Sequence, residues 1–414
     1  MKKHTYRAKK VNDINWTQLQ HQIAGGEAAL AVDIAKEKQY GLLSTENGVS
    51  ELFHWNHPEQ TREVLTHLEN LGCRMTVIME STGTYGDALR YQFRLSGFDV
   101  HQMNAKRVFD AKEVYDGVPS LHDAKSVVVI TRLYREGLSL PWRESSEEER
   151  KMDALRREFE MHQSHYQRNE NRLEAYLSRH WPEVTYLLDL DSVTLENLLI
   201  EYGSPACIAE NAQTAGQQMK VWGRSMLKND KIIKILESAA NTVGQPCLEA
   251  ERRYLQALAE EMRHSREQQR EAKQALEAIV KADKGLNELG LVIGLVTTAV
   301  LISCRLDPRN YANPRCFQKA LGLNLKEKSS GRDQGQLKIT KRGCSIVRRY
   351  LYFAALRLIK NNPVVRAWFQ AKVDSRAKNK TVIAIMRKLV KALWHVGRGE
   401  RFDAEKLFTV AAAA

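Results

Sequence analysis

Apolar and polar positions divide the chain into three stretches of different rhythm. From 26 to 140, short apolar runs alternate with helical spacing. Ala28 to Ile34 is an apolar run with Asp33 near its end, and Tyr40 to Leu43 reads as its hairpin partner. Pro58 to Leu71 carries Val64, Leu65, Leu68 and Leu71 at helical spacing. Met75 to Met79 predicts a buried strand that closes on Glu80. After Ser81, Thr82 and Gly83, a helix is expected over Tyr85 to Leu95, a strand over Phe98 to Met103 and a helix over Asp123 to Gly137. A hairpin followed by such alternation predicts a mixed sheet with helices packed on it. Residues 1–25 form a basic N-terminal segment without the apolar core of a signal peptide.

From 141 to 284 the rhythm becomes helical throughout. Met152, Leu155, Phe159, His162, Tyr166, Asn169, Leu173 and Tyr176 fall on 3-4 spacing, and Leu248, Leu255, Leu258, Met262, Ser265, Gln269, Ala272, Leu276 and Ile279 repeat it. Two long charged helices with polar interruptions in the seam predict a coiled coil. A smaller helical module lies between Pro182 and Pro246. The pattern suits an antiparallel hairpin and a dimer seam equally.

From 285 to 414 the chain is expected to be mainly helical. Gly290 to Gly294 reads as a turn leading into an apolar helix that ends at Cys304. A short helix after Asn313-Pro314 closes on Leu321-Gly322-Leu323. A polar loop follows over 326–333, then a strand over Gln336 to Thr340 and helices over Ser345 to Lys360 and Thr381 to Val396.

Charge sharpens this division. The 414 residues carry a net charge of +13, yet Arg315 to Arg401 alone holds 22 Lys and Arg against 4 acids. The rest of the chain is net acidic. So concentrated an excess points to phosphate backbones as partners, and therefore to nucleic acid. The balanced composition, with 43% hydrophobic residues and only 9 Pro, excludes a fibrous or largely disordered chain. The longest uncharged apolar run, Leu289 to Cys304, falls short of the roughly 20 residues of a membrane span, so no membrane partner is expected. Six scattered Cys without a CxxC pair argue against a zinc cluster or disulfide scaffold and for a reducing cytoplasm.

Three acids stand where chemistry could use them. Asp33 and Glu80 end predicted strands, and Asp123 begins a predicted helix. Rigid strand ends can hold carboxylates close enough to bind Mg²⁺, as phosphodiester chemistry requires. Asp on a first strand followed by a hairpin, Glu on a later strand and Asp at a helix start is also the order of a ribonuclease-H-like nuclease. Near the other end, Ser329 and Ser330 lie among Lys326, Lys328, Arg332, Lys338, Lys341 and Arg342, with Arg348 and Arg349 following. A hydroxyl among cations suits attack on a phosphodiester, because the cations stabilise the charge that builds in the transition state.

The combined pattern resembles the DEDD-type transposases of insertion-sequence family 110, with its 1111 branch, over about 28–137 and 286–400. Val32 to Lys36 is similar to the family's first strand with its acid. Glu80, Thr82, Gly83 and Tyr85 resemble its E-x-T/S-G-x-Y signature. Lys112-Glu113, Asp116 and Pro119 to Ser126 resemble the stretch bearing the last two acids. Asp123 matches the third carboxylate, and Ser126 occupies the place of the fourth. A hydroxyl is a neutral and weaker ligand, so Asp116 or water would complete the set. Gly290 to Ala299, Leu321 to Leu323, Ser329 to Gly331, Ile339 to Gly343, Arg348-Arg349 and Arg387 to Leu389 are similar to the serine-bearing domain.

The resemblance implies a RuvC-like (ribonuclease H fold) domain over 26–140, a coiled-coil linker over 141–284 and a basic serine domain over 285–414. Asp33, Glu80 and Asp123 would hold Mg²⁺. Ser330, or Ser329 as second choice, would attack DNA and form a transient phosphoserine link. The two functional domains would build one composite site, usually between protomers of a dimer or tetramer joined by the coiled coil. Partners would be element and target DNA and a structured guide (bridge) RNA, held by Lys328, Arg332, Lys338, Lys341, Arg342, Arg348 and Arg349. Two other readings stay open at this point: a metal-dependent nuclease that leaves the serine idle, and a non-catalytic nucleic-acid-binding scaffold.

Overall fold

The structure is a computed structural model that describes residues 6–80, 83–115, 117, 122–330, 333–373 and 378–409; the side chains of 328–330, 333, 334 and 336 also fall outside the description. Ser81, Thr82, Asp116, residues 119–121 and Arg332 therefore lie outside the described residues. The chain divides into two compact units, Met1–Glu144 and Ser145–Ala414.

The first unit is built on a seven-stranded mixed sheet. Its strands are β1 (Lys9–Lys10), β2 (Glu27–Asp33), β3 (Lys38–Ser44), β4 (Ser50–Asn56), β5 (Arg74–Glu80), β6 (Asp99–Met103) and β7 (Leu140–Pro141), in the order β1-β4-β3-β2-β5-β6-β7. Strands β2, β3 and β4 form an antiparallel meander, and β5 and β6 continue parallel to β2. This mixed sheet, flanked by helices, is consistent with a ribonuclease-H-like α/β fold. Helices α1 (Trp16–Ile23), α2 (Thr61–Asn70) and α3 (Asp87–Leu95) cover one face through Leu19, Ile23, Val64, Leu68, Leu89 and Phe93. Helices α4 (Ala105–Ala111) and α5 (Asp123–Arg135) cover the other through Val108, Val127, Ile130 and Leu133. The 3.6-residue spacing of these apolar side chains gives each helix one stripe to bury.

The second unit is helical. Ser146 starts α6 (Glu147–His180) with a capping box: its hydroxyl accepts from the Glu149 amide at 3.1 Å and the Glu149 carboxylate accepts from the Ser146 amide at 3.0 Å. A helical module follows, with α7 (Val184–Leu187), α8 (Val193–Tyr202), α9 (Pro205–Glu210), α10 (Ala212–Gly223) and α11 (Asn229–Ala240). The chain then returns through α12 (Glu249–Ala282), which packs antiparallel along α6. Tyr176 meets Tyr254 at 4.7 Å between ring centroids, and His162 meets His264 at 6.0 Å. Of the two arrangements that the seam allows, the chain pairs these helices with each other.

The remaining elements are α13 (Lys284–Ile293), α14 (Leu295–Ser303), α15 (Pro314–Ala320), the hairpin β8 (Leu325–Ser330) and β9 (Asp333–Ile339), α16 (Ser345–Asn361), α17 (Pro363–Lys372), α18 (Lys378–Val396) and α19 (Ala404–Leu407). They share one core with the ends of α6 and α12. Two local expectations are corrected. Gly290 lies inside α13, and the break falls at Gly294, whose φ of +86° only glycine adopts readily; the two helices bend by 119° there. The polar loop expected over 326–333 is largely strand, because Leu325 to Lys328 pair with Gln336 to Ile339 across an exposed two-stranded ribbon. Among the described residues no single helix is long and apolar enough to cross a membrane.

Candidate active site

Parallel pairing of β2 with β5 brings the first two acids together. Val32 stands opposite Met79, so Asp33 and Glu80 follow side by side at the same end of neighbouring strands. Neighbouring strands lie about 4.8 Å apart. Alternation along each strand turns both side chains toward the face that Ala31 and Ile78 line, which is the face covered by α5. Asp123 opens α5, and Ser126, one turn on, is buried beneath it.

These groups feel one another. Burial pushes the Asp33 carboxyl up to about 6; a hydrogen bond from Ser126 opposes the rise, Asp123 adds to it, and Lys112 offsets it in part. Glu80 is raised in the same way, first by burial and then by the Asp33 charge. Asp33 therefore sits at the centre, with Glu80 on one side and Asp123 on the other. The acids outnumber the cation that faces them. Oxygen donors that resist ionisation together are the donor set a hard divalent cation relieves. Among the described residues, however, no three His, Cys, Asp or Glu side chains are drawn close enough to hold one ion. The chemistry of the set fits Mg²⁺, and binding one ion would draw the three carboxylates closer together than they stand here.

Arg90, which sequence reasoning passed over, braces this end of the sheet. Its buried guanidinium donates to the Glu80 carbonyl at 2.8 Å and to Asp87 at 2.9 Å. A Cβ on Gly86 would come within 2.5 Å of Ile34 and 2.9 Å of Arg90, so a bare backbone at 86 makes room for both. Tyr85, beside it, is 61% exposed.

In the second unit the matched motifs converge on the base of the β8–β9 hairpin. The three carbonyls of Leu321-Gly322-Leu323 each accept a hydrogen bond: from Arg348 at 3.2 Å, from the Lys341 amide at 3.0 Å and from Arg387 at 3.0 Å. Arg348 also donates to the Gly343 carbonyl at 3.0 Å. Gly322 has a φ of +67°, and a Cβ there would lie 2.0 Å from the Arg342 carbonyl oxygen. Arg349 pairs with Glu160 on α6. Lys338, Lys341 and Arg342 are exposed. The backbone places Ser330 at the end of β8 opposite Asp333, and Ser329 and Lys328 precede it on the same strand.

Two family models match the chain. One, described as Transposase IS116/IS110/IS902 family, covers residues 292–370, and the other, a DEDD-type transposase model of the IS110 group, covers 30–182. The chain belongs to the IS110 family of transposases. It is a DNA transposase, an enzyme of DNA recombination. The first model spans the Gly294 bend and the β8–β9 hairpin, and the second spans Asp33, Glu80, Asp123 and Ser126. No protein of curated function matches the transposase in sequence.

Proposed function

We propose that this transposase cuts and rejoins DNA through a phosphoserine intermediate, with Ser330 as the attacking residue and Asp33, Glu80 and Asp123 as ligands of Mg²⁺. The observation that carries the reading is the convergence of Asp33 and Glu80 on parallel strand ends, with Asp123 and Ser126 one helical turn apart beside them.

Mg²⁺, when bound, would supply Lewis-acid stabilisation of charge on the phosphate oxygens. The chain's own residues do the rest. Arg90 holds the Glu80 backbone, and the Ser126 hydroxyl keeps Asp33 more readily ionised. Lys338, Lys341 and Arg342, exposed near the hairpin, and Lys328 on β8 bind the phosphate backbone. The Ser330 oxygen bonds to phosphorus as one P–O bond to deoxyribose breaks, and the leaving oxygen takes up a proton. Attack by another sugar hydroxyl reverses the step and restores Ser330, so strands exchange without an external energy source. A structured guide RNA encoded by the element directs DNA choice, and dimers or tetramers assemble along the long helices. The protein acts in the cytoplasm, at the nucleoid.

The test is DNA cleavage and strand exchange in Mg²⁺ by the protein co-expressed with its flanking element DNA. Asp33→Ala should abolish both, and ribonuclease treatment should abolish directed exchange. Unchanged activity in Asp33→Ala would refute the carboxylate site, and unchanged targeting after ribonuclease would refute the guide.

A further inference from the structure

We propose that Cys304 and Cys344 form a peroxide-responsive thiol pair that closes to a reversible disulfide and locks the base of the β8–β9 hairpin. The inference does not rest on the serine and metal roles proposed above.

Cys304 ends α14 and Cys344 precedes α16, and their sulfurs lie 3.5 Å apart, close enough for a small movement to bond them. Both are half-buried and neither is disulfide-bonded. Their surroundings differentiate them. Cys344 shares a hydrogen bond with the Cys304 sulfur and lies beside the amides of Ile346 and Val347 at the start of a 17-residue helix; these hold its thiol below the usual range against its burial, while Arg156 faces both sulfurs. Cys304 is pushed in the opposite direction, first by the same hydrogen bond and then by burial. The helix start favours the thiolate at Cys344, and Cys304 stands beside it as the second thiol, the pairing found in redox-sensing cysteines.

Each step balances. The Cys344 thiolate attacks one oxygen of hydrogen peroxide, the O–O bond breaks, and hydroxide leaves a sulfenic acid. The Cys304 sulfur then attacks the sulfenic sulfur, the S–S bond forms, and the hydroxyl departs with the Cys304 proton as water. Two thiols are oxidised and one peroxide is reduced to two waters, with the protonated solvent neutralising the first hydroxide. A dithiol reductant reverses the change.

The location gives the bond its consequence. Cys344 directly follows Lys341, Arg342 and Gly343, which cross the Leu321–Leu323 segment at contact distance; a Cβ on Gly343 would lie 2.1 Å from the Ala320 carbonyl oxygen. A disulfide would tie that crossing to the end of α14.

The test is mass spectrometry of the full-length protein treated with graded hydrogen peroxide under native conditions, with a sulfenic-acid trap in parallel. A 304–344 linked peptide should form at least about tenfold faster than exposed Cys316 is modified, and a dithiol should reverse it. Cys304→Ser should leave a trappable sulfenic acid at Cys344, and Cys344→Ser should leave Cys304 unreacted. Wild-type melting of both variants would establish that neither effect is unfolding. In the oxidised protein the amides of Thr340 and Lys341 should exchange more slowly. Faster modification of Cys316, reaction of Cys304 without Cys344, or no linked peptide at any peroxide dose that modifies Cys316 would each overturn the proposal.

Discussion

The Ser126 hydroxyl hydrogen-bonds the Asp33 carboxylate from the second turn of the helix that Asp123 opens. It also lies 3.5 Å from the His122 carbonyl, a distance too long to claim its proton firmly. A neutral residue thus stands in the fourth carboxylate's place and acts on the first by stabilising its ionised form. Ser126→Ala removes that bond, so Asp33 should ionise at higher pH. The acidic limb of Mg²⁺-dependent cleavage should then move to higher pH, by a few tenths of a pH unit to about one unit. A pH–rate profile of the two proteins checks this, and an unmoved limb would dissociate Ser126 from Asp33.

Asp33 also sets a pH dependence of stability in the metal-free protein. Its pKa rises from the ordinary 3.8 to about 6 on folding, so the native state binds more protons than the unfolded one between those values. Stability contributed by this group is therefore greatest in acid and is lost as pH rises through 6. Asp33→Asn should stabilise the metal-free protein at pH 7.5 by up to about 2 kcal/mol and make little difference near pH 3.5. Urea denaturation at the two pH values is the check, and the variant should be inactive while more stable.

The glycines at the hairpin base allow no side chain. Gly322→Ala would place a methyl group 2.0 Å from the Arg342 carbonyl oxygen at a positive φ. We expect a loss of about 2 kcal/mol or more, with rapid amide exchange at Lys341 as the local signature. Ala at exposed Gly335, which also has positive φ but open space around it, should cost about 1 kcal/mol.

Glu196 anchors the helical module to the long return helix. Its buried carboxylate meets Arg263 at 3.0 Å, and its second oxygen lies 3.0 Å from Arg266 without the alignment of a hydrogen bond. Glu196→Ala leaves two partly buried guanidinium groups without their anion and should cost about 3 kcal/mol. Thermal denaturation should show the loss in the second unit, while Mg²⁺ binding to the first stays unchanged.

Sequence periodicity located β2, β3 and β5 because each carries an apolar run buried on both sheet faces, and β6 through Val100 and Met103, which bury on opposite faces. It passed over β4, where buried Phe53 and Trp55 alternate with Leu52 and His54 in too short a span to announce themselves. It took β8 for a loop because a two-stranded ribbon has no core to demand apolar alternation, so Lys326, Glu327 and Lys328 serve as well as any residues. Helix α4 did carry a signal: Asn104 caps it by accepting from the Lys106 and Arg107 amides. At the candidate site, the strand-end acids were legible from their positions. The partners that act through space, Ser126 on Asp33 and Arg90 on the Glu80 carbonyl, were not, because tertiary packing alone brings them there.

The most direct measurement of the proposed chemistry is a denaturing gel that looks for a covalent protein–DNA adduct formed in Mg²⁺ by protein expressed with its flanking element DNA. An adduct is expected in the wild-type protein and in Ser329→Ala, and it should disappear in Ser330→Ala and in Asp33→Ala. Cleavage without an adduct in every version, or an adduct that survives Ser330→Ala, would contradict the proposed chemistry.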